Sequence, residues 1–189
     1  MSDRCVPAPT AVSAGLRYTR TAASLHWLIA AAILVNMLFG FVSALFETTF
    51  EPAITNAHKV LGLAVLALSL ARLAWRLGHR PPPHHFARPA EKWAATTMHW
   101  CLYALSIAMP LTGWVITSSF PGRHPISLGA FDIPFLPIAP NLPRAIAAHD
   151  AHMTLGIVMI VLVIGHVLAA LRHQLVLRDQ LIGRMSING

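Results

Sequence analysis

Residues 152–173 have the sequence HMTLGIVMIVLVIGHVLAALRH, and this stretch decides the fold. It is apolar over about 20 residues, the length that a helix needs to cross the hydrocarbon core of a bilayer. Two histidines, His152 and His166, lie fourteen residues apart within it. On a helix, that spacing returns to within about 40° of the same face and separates the residues by about 21 Å along the axis. One helix therefore presents two imidazoles on one face, near opposite sides of a membrane.

Three further apolar runs have the same length. We therefore predict four transmembrane helices, at about residues 25–46, 57–77, 98–120 and 149–171. The chain of 189 residues is only 11% charged, whereas a soluble domain carries roughly a quarter. Pro110 lies within the third run and is expected to kink that helix without breaking it. The first run is too long for a cleavable signal peptide, so none is expected. The predicted fold is all-α: residues 1–189 form a single integral membrane four-helix bundle.

The net charge of +7 is distributed unevenly along the predicted topology. Eleven of the fourteen basic residues lie at the termini or around the second connection: Arg4, Arg17, Arg20, Arg72, Arg76, Arg80, Arg88, Lys92, Arg172, Arg178 and Arg184. The positive-inside rule then places both termini in the cytoplasm. This clustering argues against a nucleic-acid-binding surface. Residues 78–95 are predicted to form a cytoplasmic loop, and residues 120–148 to fold back over the outer end of the bundle.

Histidines carry the predicted chemistry, because an ionisable residue in a membrane helix is costly and usually functional. His26 begins the first helix at the depth of His166, and His58 begins the second at the depth of His152. We predict that each pair supplies the two axial ligands of one haem iron, His26 and His166 on the cytoplasmic side and His58 and His152 on the outer side. The chain contains no C-x-x-C-H motif, so the two stacked haems are not expected to be covalently attached.

Two rival histidines lie nearby. His149 is seventeen residues from His166, which turns it about 100° away from that face. His99 begins the third helix on the cytoplasmic side and is a rival of His26 that spacing does not exclude. Histidines in membrane helices also serve as hydrogen-bonding residues between helices or as the ligands of a metal transporter. Haem content separates these alternatives.

Several motifs resemble the bacterial cytochrome b561 family. They are Leu25-His26-Trp27, His58 with Gly62, Met109-Pro110 with Gly113-Trp114, His152 with His166, Arg172-His173, and Val176-Leu177-Arg178-Asp179. The resemblance covers about Arg17 to Met185 and implies two haems b in a bacterial inner membrane. It places the axial ligands on the same four histidines.

The resemblance also implies an activity. Members of this family transfer electrons between a donor and the quinone pool, and one branch is similar to a superoxide oxidase. We therefore expect a membrane oxidoreductase that passes electrons from periplasmic superoxide, or another small donor, to ubiquinone. The alternative is a cytochrome b subunit that transfers electrons within a larger dehydrogenase or hydrogenase complex.

Charged and histidine side chains suggest two further sites. His173 follows His166 by seven residues, within about 20° of its face, and an imidazole exchanges protons near neutral pH. It is a candidate quinone-site residue, together with His99, Arg172 and Lys92. The family often has a second histidine where Gln174 stands. On the outer side, Lys59, Arg123 and Arg144 either steer an anionic donor or bind haem propionates or lipid headgroups.

Overall fold

A computed structural model describes residues 17–45, 51–79, 82, 89–178 and 182–186. Its elements are α1 (Arg20–Leu45), α2 (Glu51–Gly78), α3 (Pro89–Ser119), β1 (Ile126–Ser127), β2 (Asp132–Ile133) and α4 (Leu142–Arg172). A π-helical turn (His173–Leu177) and a 3₁₀ turn (Ile182–Met185) follow. All four α-helices are long and apolar enough to cross a membrane. The predicted all-α, four-helix fold is confirmed.

The helices begin earlier than predicted. They start at residues 20, 51, 89 and 142 instead of 25, 57, 98 and 149, while their ends agree to within one residue. Hydropathy marks only the part of a helix that lies in lipid, whereas capping sets its first turn. The Asn141 side chain accepts a hydrogen bond from the backbone N–H of Arg144 at 2.8 Å, so α4 begins directly after it. Residues 89–95 belong to α3, although the sequence predicted a loop there. Residues 80, 81 and 83–88 of the predicted loop lie outside the described residues.

The helices pack in chain order, α1 against α2, α2 against α3, and α3 against α4. Within the described residues, α3 is the only other α-helix packed closely along α4. Large apolar side chains are exposed at helical spacing, for example at Ile157, Val161, Ile164 and Leu168 of α4. Such a stripe is suited to contact with lipid tails. The bundle therefore presents an apolar outer surface, and α4 faces α1 and α2 across its interior.

Residues 120–141 cover one end of the bundle. β1 and β2 pair in antiparallel fashion, Ile126 opposite Ile133. The side chain of Asn56 on α2 donates to the Ser127 carbonyl at 2.8 Å and accepts from the Ser127 N–H at 3.0 Å. The indole N–H of Trp114 on α3 donates to the Pro134 carbonyl at 3.1 Å. The prediction that this segment folds back over the bundle is confirmed for residues 120–141; residues 142–148 belong to α4.

Candidate functional site

Two pairs of histidines lie in the bundle, and within each pair the two imidazole rings face each other. The ring centres of His58 and His152 are 6.1 Å apart, with an angle of 79° between the ring planes. Those of His26 and His166 are 6.3 Å apart, with an angle of 78°. Helices α1 and α2 each supply one of these rings, and α4 supplies one ring to each pair. The structure thus brings together the same pairs that helix depth predicted.

The spacing of the rings fits a metal ion with two axial imidazoles. A metal–imidazole bond measures about 2 Å, and the nitrogen lies roughly 1 Å from its ring centre, so two axial rings have centres about 6 Å apart. Both measured distances agree with this value. Two imidazoles on opposite sides of one iron are the ligand set expected of a low-spin b haem. The residues present therefore fit the cofactor that the sequence predicts.

His58 is oriented by the backbone of α1. Its Nδ1 atom lies 2.9 Å from the carbonyl oxygen of Asn36. Because a carbonyl can only accept, Nδ1 carries the hydrogen and donates it. The lone pair is then on Nε2, as a metal ligand requires. The contact fixes both the tautomer and the direction of the ring.

His152 is oriented by α3 at the turn that contains Pro110. Its Nδ1 atom lies 2.9 Å from the hydroxyl oxygen of Thr112 and 3.1 Å from the carbonyl oxygen of Met109. The Thr112 hydroxyl itself donates to that carbonyl at 2.7 Å. Nδ1 therefore donates, and Nε2 again holds the lone pair. Both members of this pair have a carbonyl partner that prepares them for a metal.

Asn36 and Thr112 were not predicted as site residues. His58 contacts the backbone carbonyl of Asn36, a group that every residue carries, whereas Thr112 is a polar residue within an apolar run, where polar groups are commonly functional. That signal was available, but their partners lie on other helices and are far away in sequence. Only the packing of α1 on α2 and of α3 on α4 reveals these contacts.

The second pair has a third histidine beside it. The ring centre of His99 lies 5.6 Å from that of His166, at an angle of 70°. His26 also adjoins the indole of Trp27, with ring centres 5.3 Å apart. The rings of His26 and His99 are therefore both close enough to that of His166 to bind one metal ion together with it. By contrast, His149 has 61% of its side chain exposed and pairs with Asp150 at 3.6 Å.

The predicted quinone-site residues lie in different surroundings. His99 adjoins His166, and His173 is half-buried where α4 passes into the π-helical turn. Lys92 and Arg172 are exposed. Within the described part of the chain, neither of these two cations forms a hydrogen bond or ion pair through its side chain.

Two of the three predicted anion-steering residues fasten the segment that covers the bundle end. Arg123 donates to the carbonyls of Ser118 at 2.6 Å and Ile138 at 3.2 Å. Arg144 donates to the hydroxyl of Ser119 at 3.0 Å and to the Ala139 carbonyl. The third, Lys59, is half-buried and makes no side-chain hydrogen bond to another described residue.

Comparisons with known proteins agree with this architecture. The sequence profile of the family described as prokaryotic cytochrome b561 matches residues 17–186. Cytochrome b561 homolog 2 of Escherichia coli (strain K12) is 30% identical over 175 residues, covering 89% of this chain and 90% of that protein. Cytochrome b562 of Cereibacter sphaeroides is 32% identical over 179 residues, covering 89% and 94%.

A third relative carries a more specific name. The probable superoxide oxidase CybB of Yersinia pestis is 26% identical over 170 residues, covering 89% of this chain and 95% of that protein. The match to the family profile extends over all four apolar helices and both histidine pairs. The chain belongs to the prokaryotic cytochrome b561 family of membrane electron-transfer proteins, for which haem b is the expected cofactor.

Proposed function

We propose that this protein is a di-haem oxidoreductase that passes electrons from superoxide to ubiquinone across a bacterial inner membrane. One haem b would be held by His58 and His152, and the other by His26 and His166. The main support for this proposal is that both pairs have ring centres about 6 Å apart, the distance set by two metal–imidazole bonds. When bound, haem b supplies one-electron redox chemistry.

The fourth helix sets the direction of the proposed route. His152 and His166 lie about 21 Å apart along its axis, comparable to the thickness of the hydrocarbon core. One pair is then near each membrane surface. By the positive-inside rule, His58 and His152 lie on the periplasmic side, and both termini are cytoplasmic.

Superoxide as the donor is supported by the similarity to the probable superoxide oxidase of Yersinia pestis. Lys59 follows His58 directly and places a positive charge close to the outer pair. An anion approaching that surface is attracted by such a charge. Two superoxide anions each give up one electron and are released as O₂. Ubiquinone takes up these two electrons and two protons to give ubiquinol.

The quinone is proposed to bind at the end of the bundle that contains His166. His99 and His173 are half-buried there, and their imidazoles are suited to hydrogen-bond a quinone carbonyl and to transfer a proton. Arg172 and Lys92 are the exposed cations of the same region. They would attract the polar head of the quinone towards the membrane surface.

The test combines haem content with rapid kinetics. The purified protein should contain two b haems per chain by the pyridine haemochrome assay. Both should be reduced by a superoxide-generating system and reoxidised when ubiquinone is added. Superoxide dismutase should abolish the reduction. Two haems that superoxide leaves oxidised would contradict the proposal and favour an electron-transfer subunit of a larger complex. A protein without haem would overturn the ligand assignment.

A further inference from the structure

Two arginines lie inside the apolar span of α2. Arg72 and Arg76 are one helical turn apart, and both are half-buried. Within the described residues, neither guanidinium meets a carboxylate. A cation in a membrane segment is costly unless an anion or a polar group compensates it. The surroundings of these two residues therefore indicate an anionic ligand.

Their contacts are aromatic and leave donors available. The Nε atom of Arg72 donates to the Tyr103 hydroxyl at 2.9 Å. The guanidinium carbon of Arg76 lies 5.6 Å from the ring centre of Tyr103 and 5.8 Å from that of Trp100. These contacts hold the guanidinium groups by cation–π attraction. The terminal Nη atoms of both arginines donate to no other described residue.

The position of Arg72 links it to one histidine pair. Arg72 follows His58 by fourteen residues, the same spacing as His152 and His166 on α4. It is therefore on nearly the same face of α2 as His58, about 21 Å further along the helix. Arg72 is also within electrostatic range of both His26 and His166. Arg72, which has no carboxylate partner among the described residues, thus lies beside the inner histidine pair, His26 and His166, and Arg76 lies one helical turn further along α2.

The chemistry of the guanidinium group indicates which anion fits. A guanidinium whose terminal nitrogens are available binds a carboxylate through two parallel hydrogen bonds. A b haem carries two propionate carboxylates and, without covalent attachment, is held by its ligands and by contacts with its periphery. A lipid phosphate has related anion chemistry, but it has no reason to lie beside a histidine pair.

We propose that Arg72 and Arg76, with the hydroxyl of Tyr103, form a binding site for the propionate groups of the haem between His26 and His166. This inference rests on the proposed ligation of that haem, but it does not depend on which donor or acceptor the protein uses. The site keeps two cations at membrane depth because its carboxylate partners arrive with the cofactor.

The first experiment compares two ligands on the full-length chain. Haem-free protein is titrated with haem b and with its dimethyl ester, in which both propionates are blocked. In the wild type, the ester should bind the inner site about tenfold or more weakly than haem b. In Arg72→Gln and in the Arg72→Gln, Arg76→Gln double variant, this preference should disappear at the inner site and remain unchanged at the outer site.

Controls separate the possible outcomes. Arg20→Gln, an exposed arginine at the start of α1, should bind both ligands as the wild type does. The haem at His58 and His152 reports correct folding in each variant. Equal affinity of the wild-type inner site for haem b and its ester would overturn the proposal, even if the Arg72 variants did not fold. An Arg72→Gln variant that keeps the wild-type preference would also overturn it.

A lipid occupant is tested by native mass spectrometry. Loss of a bound anionic phospholipid in the double variant, with an unchanged preference for haem b over its ester, would identify a lipid headgroup as the anion and refute the propionate site. Failure of the proposed superoxide activity would be distinguishable from failure of the propionate site. In that case both haems bind, the ester comparison still gives its expected result, and only reduction by superoxide is lost.

Discussion

The imidazole of His58 lies against the backbone of Gly40: a methyl group on Gly40 would come within 3.0 Å of Cε1 and 3.3 Å of Nδ1 of that ring. Gly113 stands in a similar relation to His152, but with more room, at 3.5 Å from Cε1 and 3.7 Å from Nδ1. Each ring of the pair His58 and His152, which is the outer pair in the proposed topology, therefore packs on a glycine of the neighbouring helix. A substitution at Gly40 would therefore disturb its histidine ring more than one at Gly113.

Gly40→Ala is expected to displace the His58 ring and to lower occupancy of the outer haem. Carbon atoms in favourable contact are about 3.5–4.0 Å apart, so a contact of 3.0 Å forces the ring to move. Gly113→Ala creates only ordinary contacts and should retain both haems. Haem stoichiometry and the absorption spectra of the two variants are the measurement. Identical spectra would show that the outer site tolerates the added methyl group.

His152→Ala should remove the outer haem and leave the inner one, because each pair takes a separate histidine from α4. The check is pyridine haemochrome stoichiometry, falling from two haems to one, with a single remaining redox transition. Simultaneous loss of both haems from a chain that is still folded by circular dichroism would argue against independent pairs.

His26→Ala and His99→Ala decide which residue is the partner of His166. We expect His26→Ala to lose the inner haem, because its ring spacing of 6.3 Å matches that of the outer pair. His99→Ala should retain two haems and alter the reaction with quinone instead. Low-spin electron paramagnetic resonance signals distinguish these outcomes. Loss of the inner haem in His99→Ala alone would exchange the two assignments.

Thr112→Val should raise the midpoint potential of the outer haem. The hydroxyl lies 2.9 Å from Nδ1 of His152, and an acceptor there makes the imidazole a stronger donor to iron. The shift equals the difference in hydrogen-bond strength between the ferric and ferrous states, and a net hydrogen bond of about 1 kcal/mol limits it to roughly 40 mV for a one-electron couple.

Potentiometric titration with optical detection measures this shift. Thr112→Ser keeps the hydroxyl and should restore the wild-type potential. Thr154→Val is the matched control, since the only described partner of its hydroxyl is the Asp150 carbonyl of its own helix. A shift of the same size in Thr154→Val would mean that the effect is not transmitted through His152.

Ionisation of Tyr18 should make the stability of the folded protein depend on pH in the alkaline range. Burial raises the pKa of its phenol above the ordinary value of 10.0, although Arg76 and Arg72 act in the opposite direction. The folded protein therefore favours the neutral phenol. Its contribution to stability is fully present below about pH 10 and is lost as the pH rises through the raised pKa.

The measurement is the thermal midpoint of haem release at several pH values. Tyr18→Phe cannot ionise, so its midpoint should fall less steeply than that of the wild type above about pH 10. The difference between the two proteins should stay constant at lower pH. Parallel curves over the whole range would exclude ionisation of Tyr18 as the cause.

Lys59 and Arg123 are expected to act in different ways. Lys59→Gln should slow haem reduction by superoxide severalfold at low ionic strength and much less at high ionic strength, because salt screens the attraction. Arg123→Gln loses two hydrogen bonds to carbonyl groups and should mainly lower the thermal midpoint. Stopped-flow rates at two salt concentrations, with a melting curve for each variant, test this division.

The sequence predicted the elements whose signal is local. Apolar runs located four helices, and the depths of His26 and His58 relative to α4 predicted two pairs whose ring centres lie about 6 Å apart in the structure. Contacts between residues that are far apart in the sequence have no local signal. The hydrogen-bond acceptors of His58 and His152 at Asn36 and Thr112 were therefore identified only from the packed helices. Charge counting treated Arg72 as one member of a cytoplasmic cluster, because such counts carry no information on what a side chain meets inside the bundle.

The position of α4 at the end of the helix order has a consequence for biogenesis. Both histidine pairs depend on it, and the indole N–H of Trp27 on α1 donates to the carbonyl of Met185, beyond α4, at 2.9 Å. With the proposed ligands, a nascent chain therefore cannot close either haem site until α4 has left the ribosome and entered the bilayer. Haem loading then follows translation, and a chain that stalls or is truncated before α4 stays colourless. The red colour of the protein would thus report a chain that is synthesised and inserted as far as α4.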